Sequence, residues 1–472
     1  ANVTGTSALP TSVSVYQDSG GTGFRVQPRA FRGARVLLIA TLLAAPLAFG
    51  AVQTWAWAAI SISALLLLLL WALGCVRQGV IRIVWSPLYV PAALFVLLGT
   101  AQLYGGLTLD AMATRESLIK LVAYLIVFFL AGQLLAFASP RVWGALGLTV
   151  TLFAFALALF AILQFFSSGG TIYWTVKLRW GGYVFGPYVN HNHYAGLMEM
   201  LIPIAAAFVL SCRESQSWRT LLRFSVLVPV AALLLSGSRG GMIALLGEIL
   251  ILSAVVHKFS RTPGRKARAT LVGVGIVAAA LLFFWMDPGE VSKRLTTVAN
   301  LAQSPEATLG ERTMVAIDSL RIWRDHPWLG TGLGSFETAY PRYRSFPGDA
   351  VYDHAHNDYA EALAETGLVG AGLMLGGLLL FLRLAFRQLA ERLRNEVGWI
   401  QLGAALGCCG LLIHSLVDFN LHIPANAAWF AVSVAIATKV YTLGNRFPHG
   451  EAGQSNQLEN RACPSPDTLR RA

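Results

Sequence analysis

The sequence predicts an all-α polytopic membrane protein of about twelve transmembrane helices with one large, partly helical loop. Composition and two patterns carry this reading. Of the 472 residues, 55% are hydrophobic and only 13% are charged, and the mean hydropathy is +0.58. A soluble domain carries about 25% charged residues. The apolar residues gather in runs of about 20, the length that spans a bilayer. The basic residues cluster in alternate connections, as they do in chains oriented by cytoplasmic positive charge. A soluble enzyme, a disordered chain and a collagen-like chain are excluded.

The elements follow in order. The first 30 residues are polar, rich in Ser, Thr and Gly, and lack the apolar core of a signal peptide. Residues 1–34 are therefore expected to be a disordered cytoplasmic tail. Apolar runs lie at 36–52, 55–74, 87–104, 117–137, 142–166, 193–212, 221–237, 240–257 and 269–286. These give nine spans within 35–286. A loop occupies 287–366. Three more runs, 367–386, 399–416 and 422–441, fill 367–441, and 442–472 is a second cytoplasmic tail. The divisions at 52–55 and 237–240 rest on very short connections.

Charge tests the count. With the N-terminus in the cytoplasm, 24 of the 36 Lys and Arg residues fall inside. The others are Arg115, Lys120, Lys177, Arg179, Arg239 and seven in the long loop, and long loops translocate regardless of charge. Removing one span would scramble this asymmetry, so both termini are expected inside. The net charge of +12 is accounted for in this way, and no nucleic-acid partner is inferred. The cysteines Cys75, Cys212, Cys408, Cys409 and Cys463 have no repeated spacing, which gives neither a disulfide framework nor a zinc site.

The long loop has structure of its own. From Glu311 to Asp325, Met314, Ile317, Leu320 and Ile322 alternate with polar positions at helical spacing. A loop of this size is usually functional.

Chemistry is crowded where the chain meets the membrane. At the end of the loop, Tyr352-Asp353-His354-Ala355-His356-Asn357-Asp358-Tyr359 leads into Glu361, Glu365 and Gly367. Histidine is the natural proton acceptor near neutral pH. A second polar island, Gly186 to Tyr194, contains His191 and His193. The two His-x-His pairs raise the question of a metal. Neither has a carboxylate or thiolate partner at fixed spacing, so no metal and no cofactor are expected. A third feature is Ser236-Gly237-Ser238-Arg239-Gly240-Gly241. An arginine at membrane depth costs about 2.5–3.5 kcal/mol on insertion scales. It either pairs with Glu199 or Glu248 or clamps a phosphate, whose oxygens a guanidinium matches bidentately. Arg312, Arg321, Arg324, Arg342 and Arg344 would add to a positive field beside His356.

These motifs together resemble the O-antigen ligase superfamily, which also holds O-antigen polymerases and some O-linked protein oligosaccharyltransferases. The matching elements are His356-Asn357 followed by Gly367-Leu368-Val369-Gly370, Asn190 to Gly196, Gly237 to Gly241, Gly310-Glu311-Arg312, His326 to Gly334, and His414 to Asn426. The likeness covers roughly 185–430. It implies a GT-C-like, metal-independent, inverting glycosyltransferase of the bacterial inner membrane with a periplasmic active site. Its donor would be a polysaccharide on undecaprenyl pyrophosphate, and its acceptor a lipid A–core sugar hydroxyl, giving lipopolysaccharide. His356 would be the general base, oriented by Asp353, Asp358 or Glu365. Arg239 and Arg312 would stabilise the leaving diphosphate. Arg342, Arg344, His191, His193 and Asn357 would bind substrate, with an interfacial anchoring role for His191 and His193 weighed equally. His414 and His422 would be structural, capping spans with Asp418. The single long outer loop, beside an outer segment 167–192 of only about 26 residues, favours a ligase over a polymerase or protein-modifying enzyme. A transporter fits less well, because the polar residues gather at one face.

Overall fold

Every expected apolar run that can be followed is helical. A computed structural model of the chain describes residues 13–16, 29–136, 138–178, 184–211, 216–259, 264, 309–347 and 351–438. The expected ninth span at 269–286, the loop's first part at 287–308, the tail 442–472 and most of the N-terminal tail lie outside the described residues.

The helices are α1 (Arg29–Leu47), α2 (Thr54–Gln78), α3 (Tyr89–Tyr104), α4 (Ala111–Ala136), α5 (Pro140–Ser167), α6 (His191–Ser211), α7 (Gln216–Leu235) and α8 (Arg239–Phe259). The loop contributes α9 (Leu309–Asp325) and the short α10 (Phe336–Ala339). Then come α11 (Asp358–Ala385), the short α12 (Leu389–Arg392), α13 (Glu396–His414) and α14 (Pro424–Thr438). Among the described residues, α1, α2, α4, α5, α6, α8, α11 and α13 are long and apolar enough to cross a membrane, and α3, α7 and α14 are shorter apolar helices. The chain is thus a mostly helical, multi-pass membrane protein.

Several boundaries have local causes. Pro140 stands in the first turn of α5, where its missing N–H costs nothing. Gly79, in the left-handed region, ends α2. The division at 52–55 is real: a 3-10 turn, Phe49–Ala51, breaks the chain there. So is that at 237–240, where α7 and α8 are separated by Ser236 to Ser238. Three expected boundaries move. Residues 13–16 are not featureless, because their backbone pairs in parallel with Ile81–Val84. Helix α1 begins at Arg29, ahead of the expected tail end at 34. And α11 begins at Asp358, nine residues before Gly367, because Asn357 caps it by accepting hydrogen bonds from the Tyr359 and Ala360 N–H groups.

The centre of the bundle is the pair α6 and α13, each with 83% of its apolar stretch buried against 28% for α2. They touch backbone to backbone. A Cβ at Gly403 would stand 2.5 Å from the Pro203 carbonyl oxygen, and one at Gly407 would stand 2.7 Å from the Met200 Cα. Small residues at such crossings let helices approach and gain dispersion contact that lipid cannot supply. Against this pair lie α5, α8 and α14.

The connections expected to share one side meet at one end of the bundle. Leu109 donates its N–H to the Thr331 carbonyl. Thr338 donates to Asp110, Tyr173 to the Leu47 carbonyl, and Asn357 to the Leu416 carbonyl. At the same end, α9 packs along α11 over a small core of Val315, Ile322, Phe336, Tyr340, Tyr352, Ala355 and Ala364. The stretch Gly330 to Gly334 could be expected to hinge, but it is clamped. Gln102 donates to the Leu329 and Glu365 carbonyls and accepts from the Leu333 N–H. Glu365 accepts from the Gly334 and Phe336 N–H groups at 2.8 and 2.9 Å.

Candidate active site

The site forms where four chain segments converge: the start of α6, the start of α9, the turn before α11, and the turn between α13 and α14. Asp418, on the last of these, is fully buried. Three side chains surround it. His193 Nε2 is 3.6 Å from Asp418 Oδ1, Arg312 Nη1 is 3.6 Å from Oδ2, and His356 Nδ1 is 4.0 Å from Oδ1. Each comes from a different element. His193 lies in the first turn of α6, whose start is fixed by Asn190 accepting the Asn192 N–H at 2.8 Å. Arg312 is in the first turn of α9. His356 sits in the turn that Asn357 closes, with a φ of +50°. Holding a non-glycine residue there costs on the order of 1–3 kcal/mol and occurs where surrounding structure over-determines it.

The Phe419 ring, next to Asp418, packs between three imidazoles. Its centroid is 4.7 Å from His193, 4.4 Å from His354 and 5.0 Å from His356. Four polar atoms here are buried with no hydrogen-bond partner among the described residues: His193 Nε2, Arg312 Nε, His356 Nδ1 and Asp418 Oδ2. Such atoms cost about 1–3 kcal/mol each when left unpaired, and their concentration in one place is the pattern of a preorganised site.

Electrostatics divide the roles. Burial, and then the Arg312 guanidinium, push the His356 imidazole down to about 4, so it is neutral at physiological pH and can take a proton. Burial pushes the Asp418 carboxyl up, but neighbouring His193, His414 and Arg312 outweigh this and hold it well below the usual carboxylate range. It is the fixed negative charge of the site. The carboxylate that lies within 4.0 Å of His356 Nδ1 is Asp418, which the expectation did not include; Asp353 adds to the negative charge around the imidazole, whereas Asp358 and Glu365 are committed elsewhere. Asp358 instead accepts from Ser415 Oγ–H and the Leu421 N–H, and Glu365 is committed to the clamp described above.

A second cluster adjoins the first. His354 Nδ1 lies 2.7 Å from Glu361 Oε1, His422 Nε2 3.3 Å from the same oxygen, and His422 Nδ1 2.9 Å from Asp358 Oδ1. Donor atoms of His354, Glu361 and His422 all lie within 4.8 Å of one another. The carboxylate partner that the His-x-His spacing did not reveal is therefore present, from α11. Burial lowers the His422 imidazole, but Glu361 and Asp358 prevail and raise it to about 10. His422 does not cap a helix with Asp418, contrary to expectation. Nor does His414, whose Nδ1 is 2.7 Å from Glu199 Oε1 within the bundle.

The remaining expected residues fall as follows. Arg239 opens α8 and is exposed. The next residue, Gly240, lies so close to His414 and Val417 that a Cβ would stand 2.4 Å from the imidazole. The start of α8 is thereby docked on the turn that carries Asp418. Glu199, one suggested partner for Arg239, is taken by His414. Arg344 stacks over Phe346 and Tyr352 at 4.8 and 5.3 Å, and Tyr352 in turn faces His356 edge-on at 6.4 Å. Arg342 is exposed. Asp318 of α9 secures this segment by accepting from the Ser345 N–H and Oγ–H. His191 and His193 are both buried, which is not the setting of an interfacial anchor. Asn357 uses its amide for the cap and for the Leu416 carbonyl. Phe419 is a side chain that the sequence did not single out for the site, Asp418 was expected only as a span cap, and Glu361 was named among the crowded groups without a role. The available signal was Asp418 itself, a carboxylate between two apolar runs, which requires partners.

Residues 224–375 match a family model described as O-antigen ligase. This segment is similar to the O-antigen ligase family, which is consistent with the O-antigen ligase superfamily that the sequence motifs resemble. The matched O-antigen ligase segment contains Arg239, Arg312, Arg342, Arg344, His356 and Asn357, while His193 and Asp418 lie on either side of it. No curated protein matches the chain.

Proposed function

We propose that the protein is an O-antigen ligase. It transfers a polysaccharide from undecaprenyl pyrophosphate to a sugar hydroxyl of lipid A–core on the periplasmic face of the bacterial inner membrane. The observation that carries this reading is the meeting of His356 and Arg312 on one buried carboxylate, Asp418.

The mechanism follows from the roles these groups can play. Asp418 faces Nδ1 of His356, which keeps the proton on that nitrogen and leaves Nε2 to accept one. The gap of 4.0 Å is longer than a hydrogen bond, and such contacts tighten when substrate binds. Nε2 takes the proton of the acceptor hydroxyl as its oxygen attacks the anomeric carbon. The bond from that carbon to the diphosphate breaks on the opposite face, so configuration inverts. Proton transfer of this kind contributes about 10²–10⁴ in rate. Charge grows on the leaving diphosphate, and Arg312 with Arg239 stabilises it, Arg344 and Arg342 lining the approach. A preorganised donor is worth about 2.7–4 kcal/mol by analogy with an oxyanion hole, so the diphosphate requires no divalent ion. His193 and His191 line the donor side. Donor binding also neutralises Arg312, relieving the repulsion that depresses His356 and strengthening the base only when the donor is in place.

The fold proposed with this function is GT-C-like, with twelve spans and both termini cytoplasmic. Phe259 ends α8 beside Leu389 and Leu393, at the end of the bundle away from Asp418. Arg312, the next residue of the site along the chain, is at the Asp418 end.

The test is a deletion strain. A ligase defect leaves long polysaccharide on the lipid carrier and uncapped core. Single repeats attached to core would instead identify a polymerase, and loss of glycan from a protein acceptor would identify an oligosaccharyltransferase.

A further inference from the structure

We propose that His354, Glu361 and His422 form a binding site for one transition-metal dication of the zinc type. It stands beside the transfer site, and the metal fastens two chain segments without touching the reacting atoms. The inference does not depend on the ligase reading.

The donor set fits such an ion. Two imidazoles and a carboxylate are the ligands of three-residue zinc sites, with bonds of about 2.0–2.2 Å. Tetrahedral geometry at those bond lengths places donor atoms roughly 3.3 Å apart. Here the Glu361 oxygen lies 2.7 Å from His354 Nδ1 and 3.3 Å from His422 Nε2, and all three donor atoms fall within 4.8 Å. Small rotations of the imidazoles open the triangle to admit the ion.

The surroundings are built as well. Metal-bound histidines usually pass their other nitrogen to a carboxylate, which fixes ring and tautomer. Asp358 Oδ1 does this for His422, 2.9 Å from its Nδ1, which leaves Nε2 for the ion. Asp358 is itself held by Ser415 Oγ–H at 2.6 Å and the Leu421 N–H at 3.2 Å. Glu361 Oε2 accepts the Ala355 N–H at 2.7 Å, turning Oε1 toward the two rings. Phe419 stacks on His354. The side chains of His354 and His422 are 25% and 31% exposed, so the ion has a route in. Binding displaces any proton on His422 Nε2 to solvent as the lone pair passes to the metal.

The position gives the site a purpose. His354 and Glu361 belong to the turn and helix that carry His356, and His422 belongs to the turn that carries Asp418. One ion would lock together the segments that hold the proposed base and the carboxylate facing it.

The experiment uses the purified full chain in detergent, stripped with chelator, equilibrated with Zn²⁺ and freed of excess. Elemental analysis is expected to find one zinc per chain. His354→Ala and Glu361→Gln should bring retention to background, and Asp358→Asn should weaken affinity about 10–100-fold. His326→Ala, a half-buried histidine outside the cluster, should retain it. Wild-type protein loaded with Co²⁺ should show the intense visible bands of a four- or five-coordinate nitrogen–oxygen site, a readout independent of how the variants fold. His356→Ala should lose glycan transfer and keep its zinc, which separates this proposal from the ligase reading. No retained zinc and no cobalt bands in the wild type, or zinc retained equally by His354→Ala and Glu361→Gln, would overturn it.

Discussion

At the scale of single residues, the account turns on a histidine made less basic than usual so that it stays neutral. The sign is explicit. A lowered value means that the neutral, proton-accepting form of His356 persists as pH falls and is lost only near 4. The acid limb of kcat/KM, which reports the free enzyme, should therefore lie near that value and well below the 6.5 of an ordinary histidine. The limb of kcat reports the donor complex, in which the diphosphate offsets Arg312, and it should lie at higher pH. Arg312→Gln should move the kcat/KM limb upward as well. pH profiles with purified protein check all three, and a kcat/KM limb at an ordinary histidine value in the wild type would refute the proposed environment. Much of this was legible beforehand: His356, Arg312 and His193 do converge. The carboxylate that joins them was not, because Asp418 is 62 residues beyond His356 and only the packing of the α13–α14 turn brings them together. The metal-like cluster was hidden for the same reason, His354 being paired in sequence with His356 but in space with Glu361 and His422.

At the scale of elements, hydrophobic periodicity was a sound guide and backbone detail was not. The helix at Leu309–Asp325 was readable from its apolar spacing, and so were the two shortest connections. The early start of α11 was missed because Asp358, Glu361 and Glu365 read as loop. They are buried inside a capped helix, where partners compensate them. Glycine permits motion, but the packing of the clamp glycines forbids it. Gly330 has a φ of +69° and lies so near α11 that a Cβ would stand 2.2 Å from the Glu365 carbonyl carbon. Gly330→Ala should cost the left-handed penalty of about 1–2 kcal/mol and an overpacking cost of about 1–3 kcal/mol. Gly169→Ala is the control, with a φ of +61° and open space. It should cost the first penalty alone. Thermal unfolding in detergent would show the larger loss for Gly330→Ala, and equal losses would contradict the clamp.

At the scale of the whole molecule, the alternation of basic residues predicted which connections share a side, and those connections do meet around Asp418. Absolute orientation is a separate prediction. Thr338, exposed on α10, belongs to the proposed periplasmic end, and Gln388, exposed before α12, to the cytoplasmic end. Cys75, Cys408 and Cys409 are buried, so replacing Cys212 and Cys463 with Ser gives a quiet background. In cells with a permeabilised outer membrane, an impermeant maleimide should label Thr338→Cys and spare Gln388→Cys; the reverse pattern would turn the site toward the cytoplasm. The most direct test of the central claim is transfer by purified protein from a lipid-pyrophosphate-linked glycan to lipid A–core, with no Mg²⁺ or Mn²⁺ added. The wild type should form capped lipid A–core, and His356→Ala should lose about 10²–10⁴ in rate while still binding donor. Undiminished transfer by His356→Ala would contradict the account.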